Sequence, residues 1–117
     1  MISRVWHGWT RPESADAYEA LLRHTVLPGI ERRGIDGYRG SYLFRRDGEG
    51  EVEFVTTLLF DSLDAVRRFA GGDYEAAVIH PEAHALLSRF DPRSSHYSVV
   101  LRPGDLASAL AEPPPRR

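Results

Sequence analysis

An apolar strand that runs directly into a helix start is the feature that most constrains this fold. Residues 52–60 (VEFVTTLLF) are apolar or β-branched at almost every position after Glu53, a pattern that predicts a strand buried on both faces. The polar residues Asp61 and Ser62 follow at once and are suited to cap a helix from about Leu63. A short glycine break and a histidine-bearing stretch come next, up to Phe90. This run predicts a pocket between helices and a sheet.

Composition bounds the class of protein. A chain of 117 residues without an internal repeat indicates one domain. The 15 basic and 17 acidic residues form no basic block, so we expect no nucleic-acid partner. The chain has no cysteine, which excludes disulfides, thiolate nucleophiles and cysteine-ligated metals. No apolar run approaches the roughly 20 residues of a membrane span, and the first residues lack the apolar core of a signal peptide. We expect no membrane partner and a cytoplasmic location.

The first half of the chain reads as a strand, a helix and a hairpin. Residues 2–9 are rich in β-branched and aromatic types, and residues 10–13 (TRPE) fit a capping box in which Thr10 caps the following helix. We expect Pro28 and Gly29 to kink that helix and Gly34 to end it. A second strand over 38–46 is joined to the third by a turn at residues 47–50 (DGEG).

The second half predicts helices and a closing strand. The second helix should span 63–70, with a separate helical segment over 74–79. Pro81 begins a further helix, because the apolar residues that follow have the spacing i, i+3, i+4 and i+7: Ala83, Leu86, Leu87 and Phe90. Residues 96–101 complete the set as a fourth strand.

This order, β-α-β-β-α-β, predicts an α+β fold of the ferredoxin-like type with an antiparallel sheet. The helices cover one face of the sheet, and a second copy is the simplest cover for the other. We therefore expect a homodimer with its sheets packed face to face, a dimeric α/β barrel. The domain should span residues 1–102, and the proline-rich tail 103–117 should be poorly ordered.

The chain resembles the antibiotic biosynthesis monooxygenase-like family of dimeric α/β-barrel proteins over about residues 1–101. The resemblance rests on three stretches: residues 6–9, residues 54–57 leading into 61–69, and residues 73–77. It implies a mainly apolar pocket with a few aromatic, histidine and arginine groups. Members include cofactor-independent oxygenases of aromatic polyketides, quinol oxygenases and haem-degrading enzymes.

The haem-degrading branch provides a residue-level comparison. Its pocket uses an Asn on the first strand, a Trp at the end of the third and a His on the next helix. At those positions this chain has His7, Phe60 and Val78, with His80 two residues further on. All three positions depart from the pattern, which argues against haem degradation.

His80 and His84 are the most informative polar pair. Their spacing of four residues would place two imidazoles on one helix face, as a metal site requires. However, Glu82 does not follow the first histidine directly, as the metalloprotease motif needs, and no third ligand is spaced to join them. We therefore expect no metal. Either His80 faces the pocket as a general base, or it is a solvent-facing residue at a helix end.

Strand one offers further candidates. Because side chains alternate along a strand, Trp6 and Gly8 share one face while His7 and Trp9 share the other. Gly8 could leave room beside Trp6 for a planar ligand, although both tryptophans could equally be core or interface anchors. His24, at the margin of an apolar helix stripe, is another candidate base or an edge residue. The remaining candidate substrate contacts are Tyr38, Tyr42, Phe54, Phe60 and His84.

Three functions remain open from the sequence. The first is a small dimeric, cofactor-independent monooxygenase-like enzyme that acts on an aromatic or polyketide-type substrate. In it His80, or else His7 or His24, removes a substrate proton before dioxygen reacts. The second is a non-catalytic dimeric module that binds a small apolar ligand or haem. The third is a cofactor-free isomerase or cyclase, which would need the same base but no oxygen.

Overall fold

The computed structural model describes residues 1–107 of the chain. It is an α+β fold with one antiparallel sheet and helices on one side of it. A stretch of π-helix, Leu22–Val26, joins the first two α-helices. The regular elements are, in chain order, β1 Ile2–Thr10, α1 Pro12–Leu21, α2 Leu27–Arg32, β2 Tyr38–Asp47, β3 Val52–Phe60, α3 Leu63–Ala70, α4 Pro81–Leu86, β4 Leu87–Phe90 and β5 Ser95–Ser98.

The sheet is centred on β1. Its order is β2-β3-β1-β4, and β5 also pairs with β1. β3 runs along the whole of β1, whereas β4 pairs with Gly8–Thr10 and β5 with Ile2–Val5. β4 and β5 thus act as one interrupted edge strand, which makes the arrangement ferredoxin-like. The sheet is open rather than closed into a barrel.

The two sheet faces differ sharply in burial. Even-numbered residues of β1 and β3 point toward the helices, and most of them are buried, among them Arg4, Phe54, Leu58 and Phe60. The odd-numbered residues form the opposite face, which the single chain leaves open. Tyr42 and Phe44 on β2 are 51% and 53% exposed there, and Tyr97 on β5 is 57% exposed. On this face of β3, Thr57 is buried and the other residues are half-buried, so the prediction that β3 is buried on both faces holds largely for one face and in part for the other.

Two apolar clusters make up the core on the helix side. One joins α1 to the sheet through Tyr18 and Phe54, whose ring centroids are 4.8 Å apart. The other packs α3 on the sheet through Phe60 and Phe69, at 5.7 Å. Ser62 caps α3 as predicted, because its hydroxyl accepts the N–H of Ala65. The hairpin between β2 and β3 is also confirmed, with Gly50 at a φ of 78° in its turn.

The structure corrects the predicted start of α1. The capping box does not form, because β1 continues through Thr10 and Arg11 takes the N-cap position without a side-chain bond. The predicted kink at Pro28 takes the form of the π-helix stretch that directly precedes α2, and Leu27 N–H there bonds to Leu22 O. A π-type turn at this point is compatible with proline, which has no N–H to donate to a helical carbonyl. The helix ends before Gly34, whose φ of 60° suits glycine.

The region after α3 departs most from expectation. Residues 74–79 form no helix, and Ala76 instead makes an isolated bridge to Arg93. The helix from Pro81 ends at Leu86, and Leu87 and Phe90 lie on β4. The closing strand is the short β5, followed by a turn at 103–106. The rest of the predicted tail, residues 108–117, lies outside the described residues. Within residues 1–107, no helix has the length and apolar character that a membrane span needs.

Candidate functional site

A cavity opens on the helix side of the sheet, between the two core clusters. Its cavity volume is about 60 Å³, the space within which the centre of a water molecule can move. The π-helix stretch and α2 form one wall, β1 and β3 form the floor, and residues 78–80 form the opposite wall, which borders solvent because Val78 is 53% exposed. The apolar and aromatic part of the lining is Trp6, Tyr18, Leu22, Val26, Leu27, Ile30, Leu58, Phe69, Val78, Ile79 and Ala83.

Trp6 contributes the largest aromatic surface to this lining. Its indole is held in place, because Nε1–H donates to the carbonyl of Asp91 at 2.7 Å. Gly8 is the reason the ring has room: a Cβ there would lie 2.9 Å from Trp6 Cη2 and 2.9 Å from Leu87 Cδ2. A fixed indole beside apolar walls is suited to pack against a planar ring.

Arg4 is the one charged side chain of the lining that is buried. It is 3% exposed and donates hydrogen bonds to the carbonyls of Tyr74 and Ala76, the latter at 2.9 Å. Its Nη1 also lies 3.0 Å from His96 Nε2. Because arginine is a donor only, His96 Nε2 must accept, and the proton of this neutral imidazole resides on Nδ1. Burial lowers the pKa of Arg4 to about 10.

In the described part of the chain, one buried polar atom in the cavity lining and one on the histidine that contacts Arg4 lack hydrogen-bond partners. The Thr56 hydroxyl is buried and makes no hydrogen bond among residues 1–107, and Thr56 lines the cavity. His96 Nδ1, the donor nitrogen, is buried and unpaired in the same sense. Buried polar groups are normally satisfied, so the unused Thr56 hydroxyl in the lining is suited to bind a ligand or water. Burial and the Arg4 charge both lower the pKa of His96, which favours its neutral form.

His80 forms the outer wall of the cavity and caps α4. Its Nδ1 accepts the backbone N–H of Glu82 at 3.2 Å. Since a backbone N–H can only donate, Nδ1 is unprotonated and Nε2 carries the ring proton of neutral His80. In this geometry His80 is an N–H donor.

Of the residues predicted to form a site, Trp6 and His80 line this cavity. His7, Trp9 and Tyr42 lie on the open face of the sheet, on the other side from it. There His7 Nδ1 bonds to Glu53 Oε2 at 2.9 Å. The alternation along strand one was predicted from the sequence, and the structure now shows that Trp6 is on the cavity side.

The other candidates also lie away from the cavity lining. Phe54 and Phe60 are fully buried in separate core clusters, and Tyr38 packs against Phe60 at 5.5 Å. His24 is exposed on the π-helix stretch, and His84 is exposed on α4 with its ring 5.3 Å from Phe90. Among residues 1–107, no three histidine, aspartate or glutamate side chains are grouped to hold a metal ion.

Arg4 and Thr56 are the site residues that sequence reasoning missed. Both have the parity of Trp6: Arg4 is two residues before it on β1, and Thr56 is directly opposite it on β3. The alternation of side chains along β1 places the charged Arg4 on the same face as apolar residues, and this could have identified it from the sequence as a candidate.

Comparison with known proteins supports the fold alone. No protein-family model matches the chain, and no curated protein matches its sequence. Among solved structures, the chain is similar to the structure of Rv0793 from Mycobacterium tuberculosis, with a TM-score of 0.54 and 20% identity. The match covers 86% of this chain and 96% of that one. At this identity, the similarity extends to architecture and not to activity.

Proposed function

We propose that the chain is a small dimeric, cofactor-independent enzyme of the antibiotic biosynthesis monooxygenase-like kind, acting on an aromatic or polyketide-type substrate. The observation that carries this proposal is the cavity, in which a fixed indole faces apolar walls and a few hydrogen-bond donors. Pockets of this composition bind small planar molecules. The ferredoxin-like architecture and the open sheet face support the dimer.

In the proposed reaction, a histidine removes a proton from an electron-rich phenol or anthrone. The resulting anion reacts with dioxygen, one oxygen atom becomes a product carbonyl and the other leaves as water. The substrate supplies all four electrons that reduce dioxygen, and two of its hydrogens leave in the water, so the reaction needs no metal or flavin. His80 is the histidine that lines the cavity, and the Thr56 hydroxyl offers a donor to the developing negative charge.

The hydrogen bond to His80 Nδ1 favours a second candidate function. To accept a proton at Nε2, the neutral ring would have to hold its proton on Nδ1, which breaks the bond from Glu82 N–H. A donor histidine in an apolar cavity fits a module that binds a small apolar ligand or haem without turnover. This candidate shares the fold, the cavity and the dimer with the first.

Oxygen uptake separates the two functions. Anthrone is offered to the full-length protein, and dioxygen consumption is measured above the protein-free rate for wild type, His80→Ala and His84→Ala. His84 is the matched control, because it lies on α4 but outside the cavity lining. If His80 is the base, His80→Ala lowers the rate by roughly 10²–10⁴-fold and His84→Ala leaves it unchanged.

The other outcomes are equally informative. Equal uptake by wild type and His80→Ala would remove His80 from the mechanism. Anthrone binding by calorimetry with no uptake above background would support the binding module. A haem titration followed at the Soret band then tells whether that module takes haem.

A further inference from the structure

We propose that Arg4 anchors a carboxylate, so that the aromatic ligand of the cavity is an aromatic carboxylic acid in its ionised form. This inference rests on the proposed function, because it assigns the substrate class of the same cavity. It adds a charge requirement that an apolar pocket alone would not impose.

The charge of Arg4 is not balanced by a carboxylate of the described residues. Eight arginines of residues 1–107 have a carboxylate within 4.0 Å, all of them near the surface: Arg23, Arg39, Arg45, Arg67, Arg68, Arg89, Arg93 and Arg102. Arg4 is far more buried, yet no carboxylate of residues 1–107 pairs with it. Its described partners are two carbonyls, a neutral imidazole and the Phe69 ring, which lies 5.4 Å from the guanidinium carbon. A buried cation without a counterion is costly, and an anionic ligand would offset that cost.

Arg4 also has N–H donors that no described acceptor uses. A guanidinium has five N–H groups, and the described hydrogen bonds use two on Nη1 and one on Nη2. The Nε–H and one Nη2–H therefore have no acceptor among residues 1–107. Two donors on neighbouring nitrogens match the two oxygens of a carboxylate. The unpaired Thr56 hydroxyl is a third donor in the lining.

Arg4 also has a purely structural role. By binding Tyr74 O and Ala76 O, Arg4 fastens the irregular segment 74–77 to the sheet. A neutral donor could hold two carbonyls without the cost of burying a charge. The structural role therefore does not require the positive charge of Arg4. A test of the anion site must vary the charge of the ligand.

The experiment compares two probes of the same shape, 2-naphthoate and its neutral methyl ester, by calorimetric titration of the full chain. We expect wild type to bind the carboxylate at least about tenfold more tightly than the ester. Arg4→Gln should abolish that preference while the ester affinity changes less than about twofold. Arg33→Gln is the matched control, because Arg33 also lies over the Phe69 ring, at 5.3 Å, but does not line the cavity. It should retain the preference.

The outcomes separate this inference from the function on which it rests. Ester binding without any carboxylate preference in wild type would overturn the anion site and leave the aromatic cavity intact. Absence of binding by both probes would overturn both. If Arg4→Gln does not fold, the Arg4 Nε–H resonance of wild type is followed by NMR instead. A shift with naphthoate and not with the ester supports the site, and equal spectra with the two probes refute it.

Discussion

Gly8 sets the width of the cavity beside Trp6. The position has no φ that demands glycine, so its requirement is space: an added methyl group would overlap both the indole and Leu87. The Trp6 ring thus occupies the space that a side chain at residue 8 would fill. The shape of the cavity beside Trp6 therefore depends on the absence of a Cβ at residue 8.

We predict that Gly8→Ala destabilises the fold by about 1–3 kcal/mol, because the indole or Leu87 must leave its position. Gly29→Ala is the control: Gly29 lies in α2, and nothing is within 4 Å of an added Cβ there. It should raise stability by about 0.5–1 kcal/mol through helix propensity. Urea unfolding of the two variants measures both effects, and a Gly8→Ala midpoint equal to that of wild type would contradict the packing argument.

His96 should make stability depend on pH. Its pKa in the folded chain is lowered, first by burial and then by Arg4, while Glu75 acts in the opposite direction. Below the unfolded pKa of about 6.5, the unfolded state therefore binds the proton more readily than the folded state. Stability is present above that pH and is lost as the pH falls toward the folded pKa.

The check is urea unfolding between pH 7.5 and 5 for wild type and His96→Gln. We expect a flatter profile for His96→Gln, since glutamine can accept from Arg4 without titrating. His84→Gln, an exposed control, should keep the wild-type slope. Parallel profiles for wild type and His96→Gln would show that His96 is not the source of the acid sensitivity.

At the level of elements, the sequence pattern predicted correctly those helices and strands that depend on interactions between residues close in the chain. The first three strands, the hairpin and α3 follow from alternation, turn residues and the Ser62 cap, each of which acts within a few residues. β4 did not follow, because the spacing of Leu86, Leu87 and Phe90 is helical. Pairing of β4 with residues 8–10 of β1 overrides that spacing, and such a distant partner has no signature in the local sequence.

The candidate site shows the same division. Trp6 and His80 were predicted as candidates because tryptophan and histidine are conspicuous by type. Arg4 was not, because its burial arises from segment 74–77, which the sequence suggested was a helix. His7 and Trp9 have the right chemistry, but which face of strand one meets the helices depends on the assembled sheet.

For the whole molecule, the open sheet face is the largest feature that a single chain leaves unexplained. Tyr42 and Phe44 stack there with ring centroids 5.8 Å apart, and each is more than half exposed. Exposed aromatic patches of this kind mark interaction surfaces. We propose a second copy as the partner, because two such faces are alike and can pack as a symmetric pair.

We predict a sedimentation mass of two chains for wild type at micromolar concentration and of one chain for Phe44→Glu, whose charge would be buried in the interface. Leu63→Glu is the control, since Leu63 is an exposed apolar residue of α3 on the helix side. It should remain dimeric. A wild-type mass of one chain would exclude the dimer.

The three-way pairing of β1 has a consequence for how this chain tolerates insertions and deletions. β3 holds β1 in one register over its full length, β5 pairs with its first half, and β4 pairs with Gly8–Thr10 with one irregularity between Trp9 and Thr10. Deletion of the residue between Arg4 and Trp6 would make the two neighbours in the strand, so that their side chains would point to opposite faces of the sheet. A substitution in β1 changes the contacts of one side chain. A change of length by one residue instead moves all the side chains on one side of the change from the helix-facing side of the sheet to the open side, or the reverse. For the cavity, the two-residue spacing of Arg4 and Trp6 along β1 is therefore as important as the identity of the two residues.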